Sequence, residues 1–237
     1  VLHTRSVDDL MLLAARAAAL ERQDAIDTAV VAMLEAPSKA RDGITELYFM
    51  PFDPTNKRTE ITYKIDLSGR SNRVSKGAPQ VILELCRSGS VDEKAFQLLE
   101  KKIEQEVEAL AEDGYRAVGV AEASVPDGTT REDLPGLKWA YVGIIAIFDP
   151  PRDDSAQTIK KALDLGVMVK MITGDQLAIG KETARRLGMG TNMYEAHIFE
   201  KKNLKTIQVT AGKELSELLV EIDGVAGAYC ERLRHFR

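Results

Sequence analysis

Cysteine is scarce in this chain: two residues in 237, Cys86 and Cys230, far apart and with no second ligand at metal spacing beside either. That usage argues against a disulfide framework and points to reduced, unpaired thiols in a cytosolic setting. Histidine occurs three times, at His3, His197 and His235, never in a two-residue ligand cluster, so a metal site built from Cys and His is not expected. Long apolar runs are missing too. The longest, Tyr141 to Phe148, is far shorter than the roughly 20 residues a membrane helix needs. No block of one charge sign stands out, and 32 basic against 37 acidic residues leave a formal net charge of -5. A surface for duplex nucleic acid is therefore not expected, although a local basic patch can still receive an anionic nucleotide. The start of the chain lacks the basic-then-apolar layout of a signal peptide and opens on Val1, so a piece of a longer protein is expected.

What is present is ordinary for a soluble globular fold, 44% apolar and 29% charged residues. The length suffices for two domains of common size. No internal repeat or low-complexity tract is found. Asp8 to Leu20 is Ala- and Leu-rich with Arg16 as its one interruption, which predicts a mostly buried helix; Asp24 to Leu34 predicts a second, closed by Pro37. Short strands are predicted at Thr45 to Met50, Thr59 to Ile65 and Arg73 to Lys76. The last two are joined by the hairpin turn Asp66-Leu67-Ser68-Gly69, so their pairing should be antiparallel. Phe96, Leu99, Ile103, Val107 and Leu110 recur at three to four residues and predict an amphipathic helix over Val91 to Ala111, stopped at Asp113-Gly114. Tyr115 to Ala121 is a further strand, and Ser124 to Gly136 a loop or linker.

Beyond that linker the grammar changes. Lys138 to Phe148 reads as strand, Ser155 to Leu165 as helix, Val167 to Ile172 as strand, Gln176 to Leu187 as helix, then Lys213 to Ile222 as helix and Val225 to Tyr229 as strand. Alternation of this kind predicts a parallel sheet. The expected organisation is an α+β domain over residues 1–137 and a doubly wound α/β domain over residues 138–237.

Candidate chemistry sits at strand ends, where open parallel sheets bind ligands. Thr173-Gly174-Asp175 follows a strand and precedes a helix: a hydroxyl, a bare backbone and a carboxylate facing the amides of a helix start, a place for a phosphate. A Gly-Asp turn closing any strand reads the same way. Asp149-Pro150-Pro151-Arg152 ends the preceding strand; Asp149 serves a turn or a cation shell, and Arg152 an acidic group or a phosphate, while Asp153-Asp154-Ser155 caps the next helix. In the first region Lys76 projects over a pocket floored by Gly77, or is a surface lysine before a turn. Phe52 is a platform for a base or a core residue at a strand end. Arg116 reaches a phosphate or pairs with Glu122. Glu21 and Asp24 contact a base edge or serve as helix-end charges.

These residues together resemble the cytoplasmic part of P-type ATPases, most closely the plasma-membrane proton pumps. The resemblance covers nearly the whole chain and is strongest from Phe148 to Tyr194, in Phe148-Asp149-Pro150-Pro151-Arg152-Asp153-Asp154-Ser155 and in Met171-Ile172-Thr173-Gly174-Asp175-Gln176-Leu177-Ala178-Ile179-Gly180-Lys181-Glu182-Thr183. It implies an α+β nucleotide-binding domain with an antiparallel sheet, followed by part of a phosphorylation domain of haloacid-dehalogenase type. Phe52 would stack on adenine, Lys76 would line its pocket above Gly77, and Glu21 with Lys57 would complete the polar edge. Arg116 would bridge to the ATP phosphates, Thr173 would touch the transferred phosphoryl group, and Asp175 beside Gly174 would organise the nucleotide, with Asp149 and Arg152 in support. Phosphoryl transfer, which is mainly positioning and charge neutralisation with Mg²⁺, suits such a set.

Several departures from the family pattern matter. The Asp-Lys-Thr-Gly-Thr segment with the phosphorylated aspartate is absent from the chain, as are the Gly-Asp-Gly-x-Asn-Asp segment that holds Mg²⁺, the Thr-Gly-Glu actuator loop and any membrane helix. Gly227 to Glu231 fits the family, and Arg232 to Arg237 does not. The expectation is an ATP-binding fragment of a proton-exporting pump, inactive by itself, whose parent sits in the plasma membrane and whose partners are ATP and the remaining phosphorylation, actuator and transmembrane domains. Its second region, lacking a central strand, is expected to be marginally stable. A free-standing adenine-nucleotide module and a dehalogenase-like phosphatase are the alternatives.

Overall fold

The structure is a computed structural model describing residues 6–21, 24–87, 92–126, 136–199 and 215–228. The expectations for Cys230, most of the 124–136 linker, the start of the helix predicted from Lys213, and the tail from Tyr229 lie outside the described residues. The chain divides into two compact units, residues 1–107 with 117–147, and residues 108–116 with 148–237.

The first unit is built on a five-stranded sheet in the order β1-β2-β3-β4-β5, formed by Ile44–Asp53, Arg58–Ile65, Ser71–Gly77, Arg116–Val125 and Trp139–Ile147. Strands β1 to β4 pair antiparallel with their sequence neighbours. The predicted turn at 66–69 closes the β2–β3 hairpin, with Gly69 at φ 69°. Period-two alternation sends Ile61, Tyr63, Val74, Val118 and Val120 to one face, where helix α1 (Val7–Arg16) and helix α2 (Ala25–Ala32) supply Leu10, Leu13, Val30 and Val31. Gly119 points to the other face. A Cβ there would stand 3.1 Å from Pro79 and 3.2 Å from Ile82 of α3 (Pro79–Arg87). The sheet is thus covered on both sides, and α4 (Glu93–Glu112) buries Phe96, Ile103 and Val107 with the predicted spacing.

Helix α1 ends four residues before the predicted Leu20. The carbonyls that would continue it are taken from outside: Thr59 Oγ1 donates to Ala17 O at 2.6 Å and Arg41 Nη2 to Ala18 O at 3.1 Å. Arg16, the interruption in its apolar run, lies over the Tyr63 ring at 4.8 Å and donates to the Tyr63 hydroxyl at 3.2 Å. Helix α3 was not foreseen. Pro79 fits a first helical turn, where no amide is needed, yet after Lys76-Gly77 it reads as a turn.

Being covered on both faces, the sheet encloses charge. Lys76, 4% exposed, forms an ion pair with Asp27, 3% exposed, whose other oxygen accepts the Ala19 amide at 2.9 Å. On the opposite face Glu60 pairs with Arg58 and, at 3.1 Å, with Arg73, which donates to Thr62 Oγ1 at 2.6 Å.

The second unit carries a three-stranded parallel sheet, β6 (Met171–Ile172), β7 (Met193–Glu195) and β8 (Gly224–Ala226), with β8 in the middle. Helices α5 (Ser155–Asp164), α6 (Leu177–Arg186) and α7 (Leu215–Glu221) accompany it. At Gly224 a Cβ would come within 2.5 Å of the Met171 carbonyl, so this strand contact requires glycine. Among the described strands β6 lies at an edge of the sheet, its Ile172 is 64% exposed, and Leu163, Leu165, Val167 and Met168 are exposed as well. No helix among the described residues is long and apolar enough to cross a membrane.

One expectation needs correction. The Lys138–Phe148 run was read as the first strand of the parallel sheet; it is β5, beside β4 in the five-stranded sheet. A strand buried on both faces is a continuous apolar run whichever sheet it joins, so periodicity cannot assign it.

Removing the Asp27 carboxylate leaves an ammonium buried without its counter-ion. Asp27→Ala is expected to lower stability by about 3–5 kcal/mol, measured by urea denaturation. A loss under about 1 kcal/mol would mean that Lys76 finds solvent or another partner easily.

Candidate functional site

Two groups of the predicted residues are assembled, one in each unit. In the first, strand β1 runs out at Phe52-Asp53 and returns as β2 at Arg58. Asp53 folds the intervening turn by accepting the amides of Thr55 at 3.1 Å and Asn56 at 3.2 Å, and Lys57 closes it in the left-handed region at φ 51°. Gly77 lies opposite Arg58, and a Cβ on it would stand 2.4 Å from the Lys57 carbonyl, so only glycine lets the turn and the end of β3 meet. The Ala78 amide donates to that same carbonyl at 3.1 Å. Phe52 is 53% exposed, a large aromatic left in water at the edge of this turn. The reading of Phe52 as core is therefore not met, and the reading of Lys76 as a surface lysine is not met either, since its ammonium is held by Asp27. Glu21 is exposed in the bend after α1. Asp24 is the α2 cap, accepting the Asp27 amide at 2.7 Å.

In the second unit the Thr-Gly-Asp tip leaves β6 and is pinned to β8. Thr173 N donates to Val225 O at 3.0 Å, Ala228 N to Thr173 O at 2.9 Å and Gly227 N to Asp175 O at 2.8 Å. Thr173 Oγ1 donates to Asp175 Oδ2 at 2.9 Å and accepts the Asp175 amide at 3.1 Å, which orients the carboxylate. Arg116 meets it as a fork, Nε to Oδ1 at 2.8 Å and Nη2 to Oδ2 at 3.1 Å, and its Nη1 stands 3.3 Å from Asp149 Oδ2. The expected alternative partner, Glu122, is not the one it takes. The hydrogen bond to Asp175 raises the guanidinium pKa further, so Arg116 is a fixed positive charge. Gly174 is open: the nearest atom to a Cβ there would be the Ala228 carbonyl at 3.8 Å, so neither packing nor φ demands glycine, and access is what it provides.

Arg116, Asp149, Pro150, Asp175, Ile179 and Thr183 line a cleft of about 190 Å³. Helix α6 starts beside it, and Gln176 at its N-cap makes no side-chain cap, which leaves first-turn amides for solvent or an anion. Arg152 stays outside, 84% exposed at its side chain and paired with Asp154 at 3.1 Å. That pair also corrects the capping expectation: Asp154 holds the N-cap position of α5 with no side-chain cap bond.

Residues not foreseen hold the segment before Arg116. Arg186 donates to the Asp113 carbonyl at 2.8 Å and to Glu182 at 2.6 Å, and lies over the Phe148 ring at 4.8 Å, which packs against Tyr115 at 5.5 Å. In the sequence these are only charges in the last turn of a helix. Among the described residues no group of three or more His, Cys, Asp and Glu could hold a metal ion. Cys86 is buried, which pushes its thiol up to about 12 and leaves it unreactive at neutral pH.

Residues 17–154, more than half of the chain, match the family model described as P-type ATPase, cytoplasmic domain N. The chain belongs to the P-type ATPase family. The match takes in β5 together with β1 to β4, in keeping with one five-stranded α+β unit, and it includes Phe52, Lys57, Lys76, Gly77 and Arg116. Membership in the P-type ATPases implies a parent enzyme that hydrolyses ATP with a general need for Mg²⁺, and ATP and the other pump domains as partners.

Glu182 is held well below the usual carboxylate range, at about 2, by hydrogen bonds from Arg185 and then Arg186. A lowered folded-state pKa means that this contribution to stability is complete above the ordinary glutamate range and disappears as pH falls toward about 2. A carboxyl titration of Glu182 by NMR is expected to show that midpoint, and one near the ordinary value of 4.5 would show that the arginine clamp does not form in solution.

Proposed function

We propose that the chain is the ATP-binding portion of a proton-exporting P-type ATPase, with Phe52 of the first unit as a platform for adenine and, taken by itself, the Arg116, Thr173, Gly174 and Asp175 group of the second unit as ligands for phosphate. The observation that carries this reading is the half-exposed Phe52 beside a turn that Lys57 and Gly77 pack closely, within the matched domain. An aromatic left in water at a strand end costs solvation unless a flat partner covers it, and a purine is such a partner. Lys57 and Glu21, both exposed, can meet polar edges of the base. Lys76 acts from beneath: its charge is committed to Asp27, so with Gly77 it supports the 53–58 turn beside Phe52 instead of reaching freely for the nucleotide. Asp149 steadies Arg116, and Arg152 lies apart with Asp154.

The proton as cargo and a plasma-membrane parent are both supported by the stretches 148–155 and 171–183, which resemble plasma-membrane proton pumps. The second unit fits part of a phosphorylation domain of haloacid-dehalogenase type. In support, its parallel sheet carries Thr173 and Asp175 at a strand end, and among the described strands β6 lies at an edge of that sheet. Mg²⁺, when bound with ATP, would neutralise phosphate charge, and Asp175 is a carboxylate of the cleft that could approach it.

Phe52→Ala is expected to weaken ATP binding by about 1–3 kcal/mol, the range for stacking on a base, read by isothermal titration calorimetry. Unchanged affinity would remove Phe52 from the site and take the adenine placement with it. The purified chain, lacking a phosphorylatable aspartate in the family's motif, is expected to form no aspartyl-phosphate with labelled ATP. Detection of an acid-stable, hydroxylamine-sensitive adduct on it would overturn this.

A further inference from the structure

The geometry points to Arg186 as a positioning residue: we infer that it fixes the loop leading into Arg116, the residue that meets the phosphates of the bound nucleotide. The inference rests on the reading just given of Arg116 as a phosphate ligand. Four consecutive residues are each held by a different contact within the second unit. Asp113 gives its carbonyl to Arg186 Nη2 at 2.8 Å. Gly114, at φ 82°, lies beside Glu182, whose Cγ would stand 3.1 Å from a Cβ there, so a larger residue would be strained in its backbone and would make Glu182 give way. Tyr115 packs on the Phe148 ring, and the guanidinium of Arg186 covers that ring at 4.8 Å. Arg116 then ends in the fork to Asp175.

Arg186 is the member common to the first three of these contacts. It binds the Asp113 carbonyl, it holds Glu182 in place through Nε at 2.6 Å, and it stacks on the ring that fixes Tyr115. Only a planar guanidinium does all three, because a lysine is a point charge with no flat face and no fork. The same helix, α6, contributes Ile179 and Thr183 to the cleft wall, so clamp and cleft wall share one rigid element.

The energetic consequence is preorganisation. A free arginine side chain loses rotamer entropy when it is immobilised on a phosphate. Here the backbone and the base of the side chain are already fixed, and the carboxylates of Asp175 and Asp149 keep the guanidinium extended until phosphate oxygens of greater charge take their place. Arg186 touches the nucleotide only through Arg116, so its effect is confined to the phosphate-dependent part of affinity.

The test titrates the chain by calorimetry with Mg-ATP and, separately, with AMP. Arg186→Ala is expected to lose about tenfold in ATP affinity and to bind AMP as the unaltered chain does. Arg186→Lys should recover part of the loss, and Phe148→Leu, which removes the ring beneath the guanidinium, should lose ATP affinity in the same selective way. Full ATP affinity in Arg186→Ala, or equal losses for ATP and AMP, overturns the positioning role. If Arg186→Ala does not fold, the other two variants decide by the same criterion, and full ATP affinity in both overturns it. An unaltered chain that binds neither ligand overturns the nucleotide reading itself, and this inference with it.

Discussion

Lys76 and Asp27 are both almost wholly withdrawn from solvent, and neither charge is tolerable there without the other. Their pairing dictates much of the first unit. Strand β3 must present its last residues toward α2, α2 must begin where Asp24 can cap it, and the segment leaving α1 must come close enough for Ala19 to bind the second oxygen of Asp27. Thr59 and Arg41 take the carbonyls just beyond α1, those of Ala17 and Ala18, at the same place. A hydrogen-bonded seam thus fastens the helical layer to the sheet end from which Phe52, Lys57 and Gly77 project.

That seam explains why a polar residue mixture can form an ordered edge. Hydrophobic contact alone is non-directional, and would permit α1 and α2 to slide along Ile61, Tyr63 and Val74. The ion pair and the Thr59 bond specify one register. On the other face the Arg58, Glu60 and Arg73 group, with Thr62 and Ser75 as neutral partners, leaves the charges compensated although they lie within a covered sheet.

The second unit solves its electrostatic problem differently. Its charges are only partly withdrawn, and the order comes from backbone bonds that fasten the Thr173–Asp175 tip to β8 and from α6, whose Glu182 and Arg186 grip the loop entering β4. A carboxylate oriented by Thr173 and an arginine oriented by that loop meet in one cleft, with charge of both signs held in place by the protein itself.

Most elements were legible in the sequence because their signals are local: short strand-like runs at β1 to β3, the three-to-four spacing of Phe96, Ile103 and Val107, the Asp66–Gly69 turn, and a Thr-Gly-Asp tip between strand and helix. So was the family, carried by contiguous motifs. Pairing was not legible, because it joins residues far apart in the chain. That β5 belongs with β4 and not with β6, that Lys76 is buried on Asp27, that Arg116 chooses Asp175 over Glu122, that Arg152 turns away to Asp154, and that Arg186 holds Asp113 are all outcomes of a three-dimensional competition for partners. Composition and periodicity decide which faces are apolar and where the chain turns; which buried charge meets which is settled only when the tertiary fold brings them within reach and takes the water away.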